Sequence, residues 1–386
     1  MPVASFVLPP TLGAFTTPFP PAADAAWSGI RWTRLAAGDP LARVRSVVRW
    51  RGGFLAVGLD QATSSGWWTP LWRSADGVSW QPLGQVFGAH TLVLGVAAAG
   101  SDLVVLTANA GTSACPPTQC GSLTAPVLSW TSSDGLVWSA HPDPELPLPP
   151  DGVPHVTLGG GSGGLVVATA PLSGGADLTV SVATSPDGAT WTSMPTATLP
   201  VDAVLWEVRG TDSGFVGVGR IGPPAGSITG SVALTSNDGR TWSSTPLPVA
   251  VGRVAVVDQL LAGRSGFLAT GSDYGLPGTA LWWQSGDGQA WRALAGYPPL
   301  GTCAPDVCLG TEPDGDVGAD GTRIVAYRGG ADPGVWTSPD GQSWSRLSEL
   351  GTPLAVFQAG GDLVVLPGGV LFSDPTTTWF GQAVTR

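Results

Sequence analysis

Short apolar runs, each the length of a strand, recur along the chain between turns that carry Gly or Pro. Two such runs flank Gly52-Gly53 within residues 47–58, and two more flank Ser213-Gly214 within residues 205–219. Each pair reads as a β-hairpin. A third apolar run follows each hairpin, as at 69–72, 126–130, 280–283 and 334–336. A heptapeptide of the form Ser-x-Asp-Gly-x-x-Trp comes next, and its Trp opens a fourth run. The chain is therefore expected to be all-β, with four strands in every period.

The heptapeptide begins at Ser74, Ser132, Ser185, Ser236, Ser285 and Ser338, at spacings of 58, 53, 51, 49 and 53 residues. Near-constant spacing of this size marks a repeat architecture. Its residues are those of a turn. The carboxylates of Asp76, Asp134, Asp187, Asp238, Asp287 and Asp340 are placed to accept N–H bonds from the residues after them. The Gly supplies a positive φ, and the Trp carries a large apolar surface away from the turn. Worn copies lie at 26–32 and 373–379. A four-stranded unit repeated about an axis is a propeller blade. Blades are expected at 40–86, 87–143, 152–197, 200–248, 250–296, 317–348 and 351–386. The early strand 31–35 has no hairpin before it and is expected to pair with the last blade.

These turns resemble those of the Asp-box, or BNR-repeat, β-propellers, a group that includes sialidases. The resemblance covers residues 26–386. It departs from the family pattern in that the familiar box, Ser-x-Asp-x-Gly-x-x-Trp, is one residue longer. It implies an all-β, seven-bladed β-propeller of four-stranded antiparallel blades with Asp-box turns. Residues 26–386 then form one domain, behind a Pro-rich N-terminal extension at 1–25 that reads as an extended linker.

Composition narrows the partners. Charged residues are 12% of the chain, so most of the surface is neutral. A net charge of −11 opposes nucleic acid, which needs clustered cations. All 17 basic residues are Arg, which excludes lysine-based covalent chemistry. No apolar run is long enough to span a membrane as a helix. The cysteines fall in two local pairs, Cys115/Cys120 and Cys303/Cys308, which read as two disulfides and point to an extracellular or cell-surface setting. No cofactor is expected. The one alternative is Ca²⁺ at the acidic stretch holding Asp314, Asp316 and Asp320, although it lacks the spacing of an EF-hand loop.

In propellers of this kind the Asp-bearing turns lie at one end of the blades. The longer connections lie at the other end, where binding residues concentrate. Trp67, Trp68, Tyr274 and Tyr297 fall on such connections and are candidates to stack on a sugar or anchor an interface. The sialidase resemblance implies a Tyr nucleophile assisted by Glu, and Arg residues that clamp a carboxylate. Candidates for that chemistry are Glu207, Arg209, Arg253 and Tyr274, with Arg49 and Arg323 as further cations on inner hairpins. The family's Phe/Tyr-Arg-Ile-Pro motif is missing. An inner-strand Glu207 and Arg209, two residues apart, equally make a structural pair. The expected function is a non-catalytic extracytoplasmic recognition scaffold for a glycan or a protein, acting as a monomer. The alternative is a divergent sialidase-like glycoside hydrolase.

Overall fold

A computed structural model of the protein describes residues 5–7, 15–16, 26–36, 39–50, 53–58, 61–63, 66–77, 79–88, 90–109, 124–141, 154–161, 163–171, 181–194, 199–200, 202–222, 228–274, 280–294, 315–328, 334–350, 362–373 and 378–385. The four cysteines, Cys115, Cys120, Cys303 and Cys308, lie outside these residues, and with them both expected disulfides, Cys115–Cys120 and Cys303–Cys308. Tyr297 and Asp314 lie outside them as well.

The fold is all-β, seven four-stranded antiparallel blades of a β-propeller. Blade three shows the pattern. Its inner strand Pro154–Gly161 pairs with Gly164–Pro171, then Ser181–Ser185, then the outer strand Thr192–Met194. Blade four repeats it with Ala203–Thr211, Gly214–Ile221, Gly230–Ser236 and Ser243–Pro246. Blade five uses Ala255–Ala262, Phe267–Asp273, Ala280–Ser285 and Arg292–Ala293. Blade seven takes three strands from the C-terminus, Asp362–Leu366, Gly369–Ser373 and Thr378–Thr385. The fourth is the early strand Trp27–Arg34, with Arg31 opposite Gln382. The expected pairing of the early strand with the last blade is thus present. Ser348–Leu350 adds a parallel strand outside it.

Two short strands depart from the reading of 1–25 as a linker. Ser5–Val7 pairs with the outer strand Val137–His141 of blade two. Phe15–Thr16 pairs with the outer strand Ser79–Gly84 of blade one. An outer strand leaves one row of backbone groups unpaired, and an extended segment can satisfy it even when Pro residues on either side stop the pairing from spreading.

The chain divides into two compact units: 1–14, 48–73 and 81–246, and 15–47, 74–80 and 247–386. In the first, Val166, Ala168 and Ala170 of blade three pack with Leu205, Val208, Phe215 and Trp242 of blade four. Their inner strands approach so closely that a Cβ on Gly210 would fall on the carbonyl oxygen of Gly160. In the second, Val325, Tyr327 and Val335 of blade six pack with Leu363, Val365, Phe372, Trp27 and Trp32 of blade seven. Trp72, Trp130, Trp283 and Trp336, two residues before each turn, are all buried. Burial of one such ring removes about 150–250 Å² from water, roughly 4–6 kcal/mol gross.

The Ser-x-Asp-Gly-x-x-Trp turns at Asp187, Asp238, Asp287 and Asp340 share one set of bonds. In blade three the Asp187 Oδ1 accepts the N–H groups of Ala189 (2.9 Å) and Thr190 (3.0 Å). The buried Ser185 hydroxyl accepts the Gly188 N–H at 2.8 Å. Gly188 has φ +80°, a conformation that only Gly adopts cheaply. The indole N–H of Trp191 donates back to the Gly188 carbonyl at 3.0 Å. Bonds of the same kind hold the turns at Asp238, Asp287 and Asp340. At Asp134 the Leu136 and Val137 N–H groups take the same roles.

Candidate recognition site

In blade five the entry segment 247–254 and the end of the second strand, at Tyr274, lie at one end of the blade. Its inner strand is entered through residues 247–254, where the chain turns back with the Arg253 N–H on the Ala250 carbonyl at 3.1 Å. Leu247 is buried and anchors one side of the turn. The Trp283 indole donates to the Pro248 carbonyl at 2.7 Å. On the other side Tyr274 N–H donates to Val254 O at 2.8 Å, which extends the pairing of Ala255 with Asp273. Arg253 reaches the buried Asp273 carboxylate at 3.1 Å.

This scaffold holds three apolar side chains in water. Val249 is 40% exposed, Val251 105% and Tyr274 55%. Large apolar side chains that stay exposed on a pinned turn carry more information than scattered surface Val or Leu. Tyr274 is thus exposed, as a loop aromatic should be. Val249 and Val251 were missed because this stretch reads in sequence only as the boundary between the blades at 200–248 and 250–296. The signal available was the Pro246, Pro248 and Gly252 that punctuate it.

Trp68 behaves differently from an exposed loop ring. It lies beside Trp67 in a small hairpin, Gln61–Thr63 with Gly66–Trp68, and is only partly exposed. Its indole N–H is buried without a partner. The hairpin folds the ring inward, where the sequence alone suggested an open loop.

The candidate acid and cation residues are engaged by neighbouring protein groups. Glu207 and Arg209 lie on the inner strand of blade four and form an ion pair at 2.5 Å. Arg253 is held by Asp273. Arg323 is buried, pairs with Asp320 at 3.3 Å, and lies over the Trp27 ring at 4.3 Å. Arg49 lies over Phe54 at 5.7 Å. Tyr327 is fully buried beside Phe372, so its hydroxyl is not a nucleophile in reach of solvent. The Asp316 carboxylate accepts the N–H groups of Val317 (2.7 Å) and Leu363 (2.5 Å). Asp320 accepts those of Thr322 and Arg323. Among the described residues no group of three His, Cys, Asp or Glu side chains is placed to hold a metal.

A second cluster, unforeseen from sequence, sits where blades three and four meet. Trp206 is the extra residue of a β-bulge between Leu205 and Glu207. His155 stacks on its ring at 3.9 Å with the planes 3° apart, and the Arg220 guanidinium lies over it at 3.4 Å. The His155 Nε2 lies 2.6 Å from the Trp206 carbonyl oxygen. A carbonyl only accepts, so Nε2 carries the proton and, in the neutral ring, Nδ1 carries the lone pair. Burial lowers the His155 pKa, against the pull of the Trp206 carbonyl and Glu207. The His155–Trp206 stack and hydrogen bond thus join the inner strands of blades three and four.

No protein family model matches the chain, and no curated protein sequence matches it. Solved structures with a similar fold include a Trypanosoma rangeli sialidase in complex with sialic acid, at 13% identity and a TM-score of 0.41, covering 96% of this chain and 59% of that one. The chain thus spans about three fifths of the sialidase. Another is the Aleuria aurantia lectin in complex with alpha-methyl-L-fucoside, at 10% identity and a TM-score of 0.39, covering 85% and 98%. A third is Chaetomium thermophilum Raptor, at 9% identity and a TM-score of 0.47, covering 94% and 30%. At these scores neither an activity nor a ligand follows from any of them.

Proposed function

We propose that the protein is a non-catalytic extracytoplasmic recognition scaffold, binding a glycan or protein through the long-loop end of its blades. The observation that carries this reading is the rigid apolar tip of blade five, with Val249, Val251 and Tyr274 exposed on a turn fixed from both sides. An anchor held in place before binding loses little conformational entropy on contact. The closed pairs Glu207–Arg209 and Arg253–Asp273 support the non-catalytic part, since a general acid needs a proton to give and a carboxylate clamp needs a cation open to substrate. The extracytoplasmic part rests on the sequence pairs Cys115/Cys120 and Cys303/Cys308. Thiol titration of the unfolded, unreduced protein should find none of the four free, and four reactive thiols would remove that part of the proposal.

The test of recognition is binding of wild type and of a Val251→Asp, Tyr274→Ser variant to arrays of glycans and of extracellular proteins, beside a fluorogenic glycoside panel that includes a sialoside. The expected result is a ligand bound at least tenfold more weakly by the variant, with unchanged unfolding, and no turnover. Glycoside turnover that Glu207→Gln abolishes would overturn the proposal in favour of a divergent glycoside hydrolase. Binding that the variant retains in full would remove the blade-five tip from the site.

A further inference from the structure

We propose that the outer edge of blade three binds an extended, uncharged, Phe-centred peptide segment by strand addition, and that the chain's own N-terminal strands are resident examples of this ligand. This surface is distinct from the loop end of the blades and does not depend on the reading given for it.

The register of the resident strands carries the argument. Phe6 lies opposite Trp138, and Phe15 opposite Trp80. Each is the Trp that ends a Ser-x-Asp-Gly-x-x-Trp turn. The N-terminal segment therefore sets a Phe, nine residues apart, against the same position of two successive repeats. Residues 1–17 contain no charged side chain, and Pro9, Pro10 and Pro18 bound the two pairing stretches.

The two edges so covered differ from blade three. Trp80 and Trp138 are 2% and 0% exposed and lie inside outer strands of six and five residues. In blade three the outer strand has three residues and starts only after Trp191, which remains partly exposed. Its indole is folded back onto Gly188, whereas the Trp138 N–H makes no such bond. Thr192 and Ser193 on this edge are exposed, and the edge carries no charge. The other four-stranded blades fit less well. Blade four already buries Trp242, which packs on Phe215. Blade five places Arg292 on its edge, bonded to Gln284, and blade six places Arg346 over Trp336. Among the described residues no strand pairs with this edge, and such an edge beside a partly exposed aromatic is the arrangement that accepts a strand: main-chain bonds supply affinity and the side-chain position supplies selectivity.

The test uses the full chain and a fluorescent peptide of residues 1–17 as probe. Saturable binding is expected, weakened at least tenfold when both Phe positions of the peptide are Ser. A benzophenone at either Phe position should crosslink to residues 191–194. Thr192→Pro and Ser193→Pro are made separately, because neighbouring N–H groups on a strand point to opposite sides. One of the two should abolish capture with the fold intact, and Tyr274→Ser should leave capture unchanged. Absence of saturable binding, or crosslinks confined to other strands or to loops, would overturn the proposal. Self-association that is lost on removal of residues 1–25 would also overturn it, by assigning the edge to a second copy of the chain.

Discussion

In the turn of blade three, the exposed charge should matter less than the buried hydroxyl. Asp187 accepts two backbone N–H bonds, but both donors, Ala189 and Thr190, are at the surface. In Asp187→Ala, water replaces the carboxylate. The loss resembles that of a helix N-cap, about 1 kcal/mol. Ser185 is 3% exposed, and its hydroxyl accepts the N–H of Gly188 in a buried position. In Ser185→Ala nothing reaches that donor. An unsatisfied buried N–H costs about 1–3 kcal/mol, so a loss of about 2 kcal/mol is expected. Gly188→Ala should be worse than either, since φ is +80° and the new Cβ would lie 2.5 Å from Val104 Cγ2. Repeat folds open locally, so the assay is native-state hydrogen exchange of the blade-three amides, with urea unfolding as the global measure. A larger loss for Asp187→Ala than for Ser185→Ala would refute the reasoning, because it would make charge rather than burial decisive.

Acid should unfold the protein through these same turns. Thr190 and Ala189 hold the Asp187 carboxyl below its usual value against a burial effect, and Thr241 and Arg240 do the same at Asp238. At Asp287 the donors are Ala290 and Gln289. Carboxyls with lowered folded pKa values give stability that is present above the unfolded value, near 3.9, and lost as pH falls through the folded value. The urea midpoint should therefore drop steeply below about pH 4, and Asp187→Asn, Asp238→Asn together should flatten that limb. A shallower loss is expected earlier. Burial lowers the His155 pKa, so the unfolded state binds its proton first as pH falls below about 6.5, at no more than about 1.4 kcal/mol per pH unit. His155→Gln should remove this step between pH 7 and 5 in urea titrations, and a step that persists would assign it elsewhere. Gly210→Ala should cost more than about 3 kcal/mol, at the upper end for single substitutions, because its Cβ meets the Gly160 backbone rather than a movable side chain. Normal thermal unfolding of that variant would show that the blades part easily there.

The turns were legible because their bonds are local. Ser185, Asp187, Gly188 and Trp191 satisfy one another within seven residues, so the sequence states the structure directly, and its repetition states the fold. The early strand was legible for the same reason: its worn turn left it without a hairpin of its own. What escaped depends on partners distant in sequence. His155 and Trp206 are 51 residues apart, and no periodicity in either strand announces a bulge at Trp206 or the stack it builds. Trp68 looked like a loop ring because a three-residue hairpin leaves almost no alternating pattern. The strands at Ser5–Val7 and Phe15–Thr16 are shorter still and bounded by Pro, so composition alone reads them as linker.

The same distinction bears on where function can lie. Residues whose bonds close within one repeat, such as Asp187 and Trp191, have their chemistry used by the fold. The charged candidates are used as well, in the pairs Glu207–Arg209, Arg253–Asp273 and Arg323–Asp320. The described blades leave in water the apolar surface at the tip of blade five and the outer edges of the four-stranded blades, that of blade three among them. The tip of blade five carries the exposed phenol of Tyr274, and the edge of blade three carries no charged side chain. Both supply shape, area and main-chain bonding, which are the means of the recognition proposed above.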